Sequence, residues 1–442
     1  MAGSAEGTST VTKAQPPSFF WSTVAPLFLI LGLPITLMCA VSFAITLKSS
    51  PSLAFKSGFG QFVYKACTCH GFGTLEAWTF AVAFTLYSAL SIQLLDGKAY
   101  RGPPTSSGFR PVYRNSGFTY YVLSLLIAGY FLLEKDLPGY AIYRSIPSLV
   151  AVLVIVGFAA STLLYVKGLT SPSPGEHGSS GNVVYDFFWG LELYPRIGKR
   201  FDVKLWTNSR FGMMLWQLLV LICWKARVET AGWSWAMAAT SFLQTAHAAK
   251  FFWREDRYVQ FADVVVDRSG YYLSFGFMAF MGPIYAIPNF YMVEHCPDMS
   301  PVLAIFVAIL GLVLSLLHSG CGYQKQLLKD TQGDCVLWQS PAKVIRASYC
   351  DHAGHETADL LPLSGFWSIC RRPDYVLEIL IHLCWALPAG GKSVVPYLST
   401  ILHACILVYE TYRFEDLCAK KYGQKWKQYC AIVKFRMIPY IY

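Results

Sequence analysis

Ten apolar segments, most of them near the roughly 20 residues that a helix needs to cross a bilayer, constrain this chain more than any other feature. They fall near residues 19–47, 75–95, 117–134, 146–166, 211–224, 232–248, 271–288, 300–319, 376–390 and 394–412. The two near 211 and 376 are short, and each reads as a tilted span or as part of a hairpin that does not fully cross. In lipid every backbone N–H and C=O needs a partner within the chain, so segments this apolar fold as helices. A barrel would alternate polar and apolar residues at every second position, and this sequence does not. The expected fold is an all-α integral membrane protein of about ten transmembrane helices, with its polar loops and tail forming a site on one side.

Composition agrees. Charged residues make up 14% of the chain, where a soluble domain carries roughly a quarter. The net charge of +10 would suggest nucleic acid in a soluble protein. Here the basic residues lie in loops between apolar blocks, so membrane lipid headgroups and an anionic cofactor fit better, and no nucleic acid is expected. Thirteen scattered cysteines without a CxxC pair form no disulfide framework. Residues 1–17 are small and polar and read as a disordered N-terminus, and the run from Phe19 to Leu47 is too long for a signal-peptide core. Ten spans put both termini on one side, and 28 of the 36 Lys and Arg residues fall on that side. The positive-inside rule makes it cytosolic.

Four polar constellations stand out. The loop Asp186 to Asp202 is aromatic and charged, and reads either as an interfacial belt or as a cap beside an active site. Lys325 and Lys329 are four residues apart and share a helical face, where two ammonium groups could hold a phosphate. In Ser364 to Tyr375, Trp367 and Tyr375 offer stacking faces, and Arg371 and Arg372 offer phosphate forks. In the tail from Arg413 to Tyr429, carboxylates and amines alternate with aromatics at helical spacing, a pattern that also suits an interfacial helix.

Arg-x-Pro-Asp-Tyr at 371–375, then Arg-x-Glu-Asp at 413–416 and Tyr-Gly-x-x-Trp-x-x-Tyr at 422–429, resembles the ER sterol reductases and, more distantly, isoprenylcysteine methyltransferases. Gly190-Leu-Glu192-Leu-Tyr-Pro-Arg196-Ile-Gly198, Lys250-Phe-Phe-Trp253-x-Glu255 and Asp267-x-x-Gly270-x-Tyr272 bring it to the sterol reductases, most closely the sterol Δ7-reductases, from about residue 100 to 442. The resemblance implies one polytopic reductase domain over 18–442, whose half from about 250 to 442 binds NADPH. It also implies a sterol drawn from the bilayer of the endoplasmic reticulum, and association with other sterol-biosynthesis enzymes. Its cofactor positions fall on Lys325, Lys329, Trp367, Asp374, Tyr375, Cys418, Ala419, Lys420, Lys421, Tyr422 and Tyr429. It implies no metal.

Two departures bear on the chemistry. Phe414 stands where the family has an acid, and Val266 stands where relatives have His. A ring alkene is protonated before it takes hydride, so an acid must lie within hydrogen-bond reach of it. Tyr272, Glu415 and Asp263 are the candidate donors, with Asp267 positioned to orient Tyr272. The expected activity is NADPH-dependent reduction of the C7–C8 double bond of a 5,7-diene sterol. A sterol Δ14-reductase, a membrane methyltransferase and a non-catalytic sterol-binding relative are the alternatives. Cys350, His352, His355 and Glu356 crowd one loop, as Cys67, Cys69 and His70 crowd another, and both groups read as solvated rather than metal-bound. His247, His318, His382 and His403, in or beside spans, read as hydrogen-bonded interior groups.

Overall fold

The computed structural model describes residues 18–442 apart from 57, 104–107, 260, 261 and 351–355. The polar N-terminus 1–17 and the His352–His355 loop lie outside the described residues, as do the side chains of Phe55, Ala262, Asp263, Cys350 and Glu356.

The long helices are α1 (Phe20–Thr46), α2 (Leu75–Leu94), α3 (Gly117–Glu134), α4 (Gly139–Thr170), α5 (Leu205–Ala231), α6 (Trp235–Trp253), α7 (Tyr271–Glu294) and α8 (Pro301–Asp330). They are followed by α9 (Pro373–Ala386), α10 (Leu398–Tyr422) and the short α11 (Gln424–Ile432). Among the described residues, α1 to α5, α7 and α8 are long and apolar enough to cross a membrane. The other three expected segments are helical too, as α6, α9 and α10, so ten is an approximate count of spans. With 14 residues α9 is about 21 Å long, short of the ~30 Å hydrocarbon core, as its short apolar run suggested.

Local chemistry sets the ends. Thr74, Ser234 and Ser300 cap α2, α6 and α8, each side chain accepting a backbone N–H three residues on at 3.3 Å. Gly232 and Gly423 close α5 and α10 at φ of +75° and +51°. One boundary differs from the sequence reading. Residues 205–210 read as loop, because Thr207, Asn208, Ser209 and Arg210 are polar. They instead form a buried π-helical start to α5, Leu205–Met213, whose wide turn directs these side chains into protein.

The outer surface of α8 is apolar: Val302, Phe306, Ile309, Val313 and Leu316 recur at helical spacing and are all exposed. Its inner face packs on α6 and α9, and α9 also contacts α10. The polar end carries an antiparallel hairpin, β1 (Val344–Cys350) with β2 (Glu356–Pro362), in register from Val344 opposite Pro362 to Cys350 opposite Glu356. Ala347 and Leu361 of the hairpin bury against Cys418, Trp426, Tyr429 and Val433. That small core docks the tail, α11 included, onto the hairpin.

Candidate functional site

The site forms where three stretches, distant in sequence, meet at the polar end of the bundle. The first contact is between backbones. A Cβ on Gly270 would lie 2.2 Å from the Gly190 nitrogen, and one on Gly190 would lie 2.5 Å from the Gly270 nitrogen. Only glycine allows the 186–202 loop to lie this close to the chain entering α7. Ser269 N–H donates to the Glu192 carbonyl at 2.9 Å beside this crossing. The loop's carboxylates Asp186 and Glu192 are buried and partnered: Lys167 donates to the Glu192 carboxylate at 2.9 Å, and Ser180 N–H to Asp186 at 2.9 Å. The crossing brings Trp189 against Tyr272, with ring centroids 5.1 Å apart. Arg413 from α10 completes the junction. Its guanidinium lies 5.3 Å from the Trp189 ring, pairs with the buried Asp267 carboxylate, and reaches Glu410 at 3.3 Å.

A second group lies beside it. Lys325 of α8 sits over the Trp367 ring at 5.3 Å, and the indole N–H donates to the Cys321 carbonyl at 3.1 Å. Arg372 makes a two-pronged pair with Asp374 at 3.0 and 2.8 Å, and its guanidinium lies over Tyr375 at 3.4 Å and Phe414 at 4.9 Å. From the tail, Lys421 and the Tyr422 hydroxyl both donate to Asp359 on the hairpin, at 2.8 and 2.7 Å. Burial alone would raise the Asp359 carboxyl; these bonds outweigh it and hold the group below the ordinary carboxylate range. Lys325, Lys421 and Arg372 all lie near enough to Cys418 to act on its thiol, but burial prevails and pushes it up to about 12. Three cations thus converge on one buried thiol, and two of them, Lys325 and Arg372, lie over aromatic rings.

A family model, Ergosterol biosynthesis ERG4/ERG24, matches residues 24–442. The chain belongs to this sterol reductase family. A 7-dehydrocholesterol reductase from Arabidopsis thaliana is 36% identical over 372 residues, covering 84% of this chain and 86% of that protein. Another from Danio rerio is 33% identical over 65% of this chain and 61% of its own length. A Delta(14)-sterol reductase from Mus musculus is 29% identical over 84% of this chain and 88% of its own length. The chain is thus a multi-pass membrane oxidoreductase of the sterol reductase type.

Within this sterol reductase, the residues expected at the cofactor divide into two sets. Lys325, Trp367, Asp374, Tyr375, Cys418, Lys421 and Tyr422 come together around the thiol. Tyr429 is 3% exposed and packs in the core between tail and hairpin, close to the same Cys418 thiol. Lys329, Ala419 and Lys420 are exposed, as are Lys325 and Lys421; Lys329 lies near enough to Asp359 to act on its carboxyl, and Lys420 pairs one turn back with Asp416 at 2.6 Å.

The candidate acids also separate. Glu415 is clamped by two guanidiniums, Arg371 and Arg436, the latter at 2.8 Å, while Arg371 also donates to the Val433 and Lys434 carbonyls. That arrangement latches the chain end to the start of α9. Tyr272 is half-buried beneath Trp189, and Arg413 holds the Asp267 carboxylate expected to orient it. The Asp263 side chain lies outside the described residues.

Sequence reasoning missed three contributors. Phe414 is not only a lost acid, since its ring forms a wall beneath Arg372. Asp359 and Tyr349 reach the site from the hairpin, whose signal was the alternation of Val344-Ile-Arg-Ala-Ser-Tyr.

Proposed function

We propose that this chain reduces the C7–C8 double bond of a 5,7-diene sterol with NADPH. The convergence of Lys325, Lys421 and Arg372 with the Trp367 and Tyr375 rings carries the reading. Cations of this kind suit the phosphates of a dinucleotide, and the ring faces suit its planar parts. The residues fit the group, and when bound it supplies hydride. The chain itself holds the phosphates through Lys325, Lys421 and Arg372, and keeps the base of the cradle rigid through the Arg372–Asp374 and Glu415 pairs. The apolar helices below it suit a flat sterol that enters from the lipid side.

The 28-to-8 distribution of basic residues supports a cytosolic cradle and C-terminus. The endoplasmic reticulum membrane is the compartment consistent with that arrangement, and neighbouring enzymes of sterol biosynthesis are natural partners. In this reading the cofactor half spans about 250–442.

Family membership sets the reductase reading above methyl transfer. A Δ14-reductase is the second reading, supported by the likeness to the mouse protein over 84% of this chain. Expression in cells that accumulate a 5,7-diene sterol, followed by sterol analysis, tests the proposal. Loss of the diene and gain of its 7,8-dihydro product is the expected result. Conversion only in cells that accumulate Δ14 sterols establishes the second reading, and no conversion in either returns the chain to a sterol-binding role.

A further inference from the structure

Below the cradle, α9 carries a line of polar groups into the bundle. Asp374, Glu378 and His382 are spaced by four residues, so they share one face and descend by about 6 Å at each step. Around Glu378 the neighbouring helices contribute imidazoles. His247 of α6 and His318 of α8 each place Nε2 3.5 Å from a Glu378 oxygen, and His382 places its own at 3.8 Å. Lys250 lies 3.4 Å from His318 Nδ1 and near enough to Glu378 to act on its charge. His403 of α10 stacks on His382, with centroids 3.9 Å apart and planes 6° from parallel, and its Nδ1 meets the Tyr285 hydroxyl at 3.0 Å. Trp216 and Trp385 complete the walls, 5.1 Å apart.

The group is unusual in what it leaves unmade. His247 Nδ1, His382 Nδ1, His403 Nε2 and Glu378 Oε2 are buried atoms without a hydrogen-bond partner. Each such atom costs about 1–3 kcal/mol, and a purely structural core would replace it with an apolar group. Glu378, His382 and His403 are close enough to suggest a metal ion. The stacking argues against one, because an imidazole binds in its own ring plane and one ion does not lie in two parallel planes.

We propose that Glu378, with His247, His318, His382, His403 and Tyr285, is the site that holds the positive charge of the reduction. Before transfer the charge is a proton on an imidazole; afterwards it is the ring carbocation, which Glu378 and the aromatic walls stabilise. The proposal rests on the alkene-reducing reading above. An imidazole N–H proton passes to one alkene carbon, and the alkene π pair forms the new C–H bond. The other carbon then accepts two electrons as hydride from the reduced nicotinamide. A proton taken up from solvent, relayed by Glu378, restores the imidazolium, so one proton and one hydride are consumed per double bond. This assigns the acid that Phe414 and Val266 leave missing to a different group of side chains.

The test uses the full chain in lipid nanodiscs, with a sterol bearing a protonated ring amine and its neutral counterpart as probes. Wild type is expected to prefer the amine by about tenfold or more. Glu378→Gln is expected to lose that preference, while neutral sterol and NADPH, the latter followed by tryptophan fluorescence, bind as before. Turnover of Glu378→Gln falls about a hundredfold or more, and Glu378→Asp recovers part of it. Equal amine preference in wild type and Glu378→Gln overturns the proposal, whether or not any sterol is reduced. So does stoichiometric zinc that His382→Ala removes, or turnover that survives Glu378→Gln but is lost in Tyr272→Phe. An amine preference that depends on Glu378, in a chain that reduces no ring alkene, upholds the charge-holding site and retires the reductase reading.

Discussion

Two carboxylates inside the bundle, Glu255 and the 16% exposed Glu378, are treated in opposite ways. Glu255 is fully enclosed with Arg210, the pair being 0% and 1% exposed. It accepts from Ser209 at 2.8 Å and from both terminal nitrogens of Arg210. Arg210 also reaches Ser116 at 3.1 Å and lies over the Tyr120 ring, and only its Nε lacks a partner. Glu378 has three imidazoles at 3.5–3.8 Å, beyond a direct hydrogen bond, and four unpartnered atoms around it. The carboxylate of the first centre is saturated, and it fixes the position of α5 against α3 and the chain after α6. The second keeps unused donors and acceptors, as a site that exchanges a charge requires. Saturation therefore separates a buried charge that holds the fold from one available for chemistry, although both look alike in a hydropathy plot.

That contrast can be broken by mutation. Arg210→Met leaves Glu255 buried and uncompensated, and should destabilise the protein by about 3–5 kcal/mol; an unchanged Tm in detergent would remove the pair from the fold's supports. Gly270→Ala drives a methyl into the Gly190 backbone, which should cost about 1–3 kcal/mol and push the Trp189 and Tyr272 rings apart. Thermal melts report the first effect, and the change in Trp189 fluorescence, identified by its absence in a Trp189→Phe background, reports the second.

Milder changes sharpen the comparison. Lys421→Ala should raise the apparent KM for NADPH by about tenfold and leave the KM for sterol unchanged, since a single phosphate contact is at stake. An unaltered KM for NADPH would take Lys421 out of the cradle. Glu378→Gln should move stability by less than about 1 kcal/mol, because it removes a poorly satisfied charge rather than a saturated pair. A melting point that drops as far as that of Arg210→Met would show the two centres to be alike. The smallest effect concerns pH. The Asp359 carboxyl lies below its ordinary range, so its contribution is complete above that range and fades as pH falls through its lowered value. Hydrogen exchange in β2 and the end of α10 should therefore quicken on acidification, and Asp359→Asn should abolish that dependence.

The sequence by itself determined the class of fold. Apolar runs of bilayer length admit only helices, and their positions, including the short one near 376, correspond to helices in the structure. It also displayed the residues of the proposed cradle, because Lys325, Trp367, Asp374, Tyr375 and Lys421 lie in compact motifs of basic and aromatic residues. It misplaced Thr207 to Arg210, since a polar run looks like loop until a partner such as Glu255 is seen to bury it. It could not separate the roles of three carboxylates. Glu415, Glu378 and Asp267 are the same functional group, and only the tertiary structure put two guanidiniums on the first, three imidazoles on the second and Arg413 on the third. The histidines make the same point. His247, His318, His382 and His403 come from four different helices, each reading alone as an interior group, and it is helix packing that gathers them around one carboxylate. Hydrophobicity is a local property that a sequence displays directly, whereas charge pairing depends on contacts between distant segments and exists only once the chain is folded.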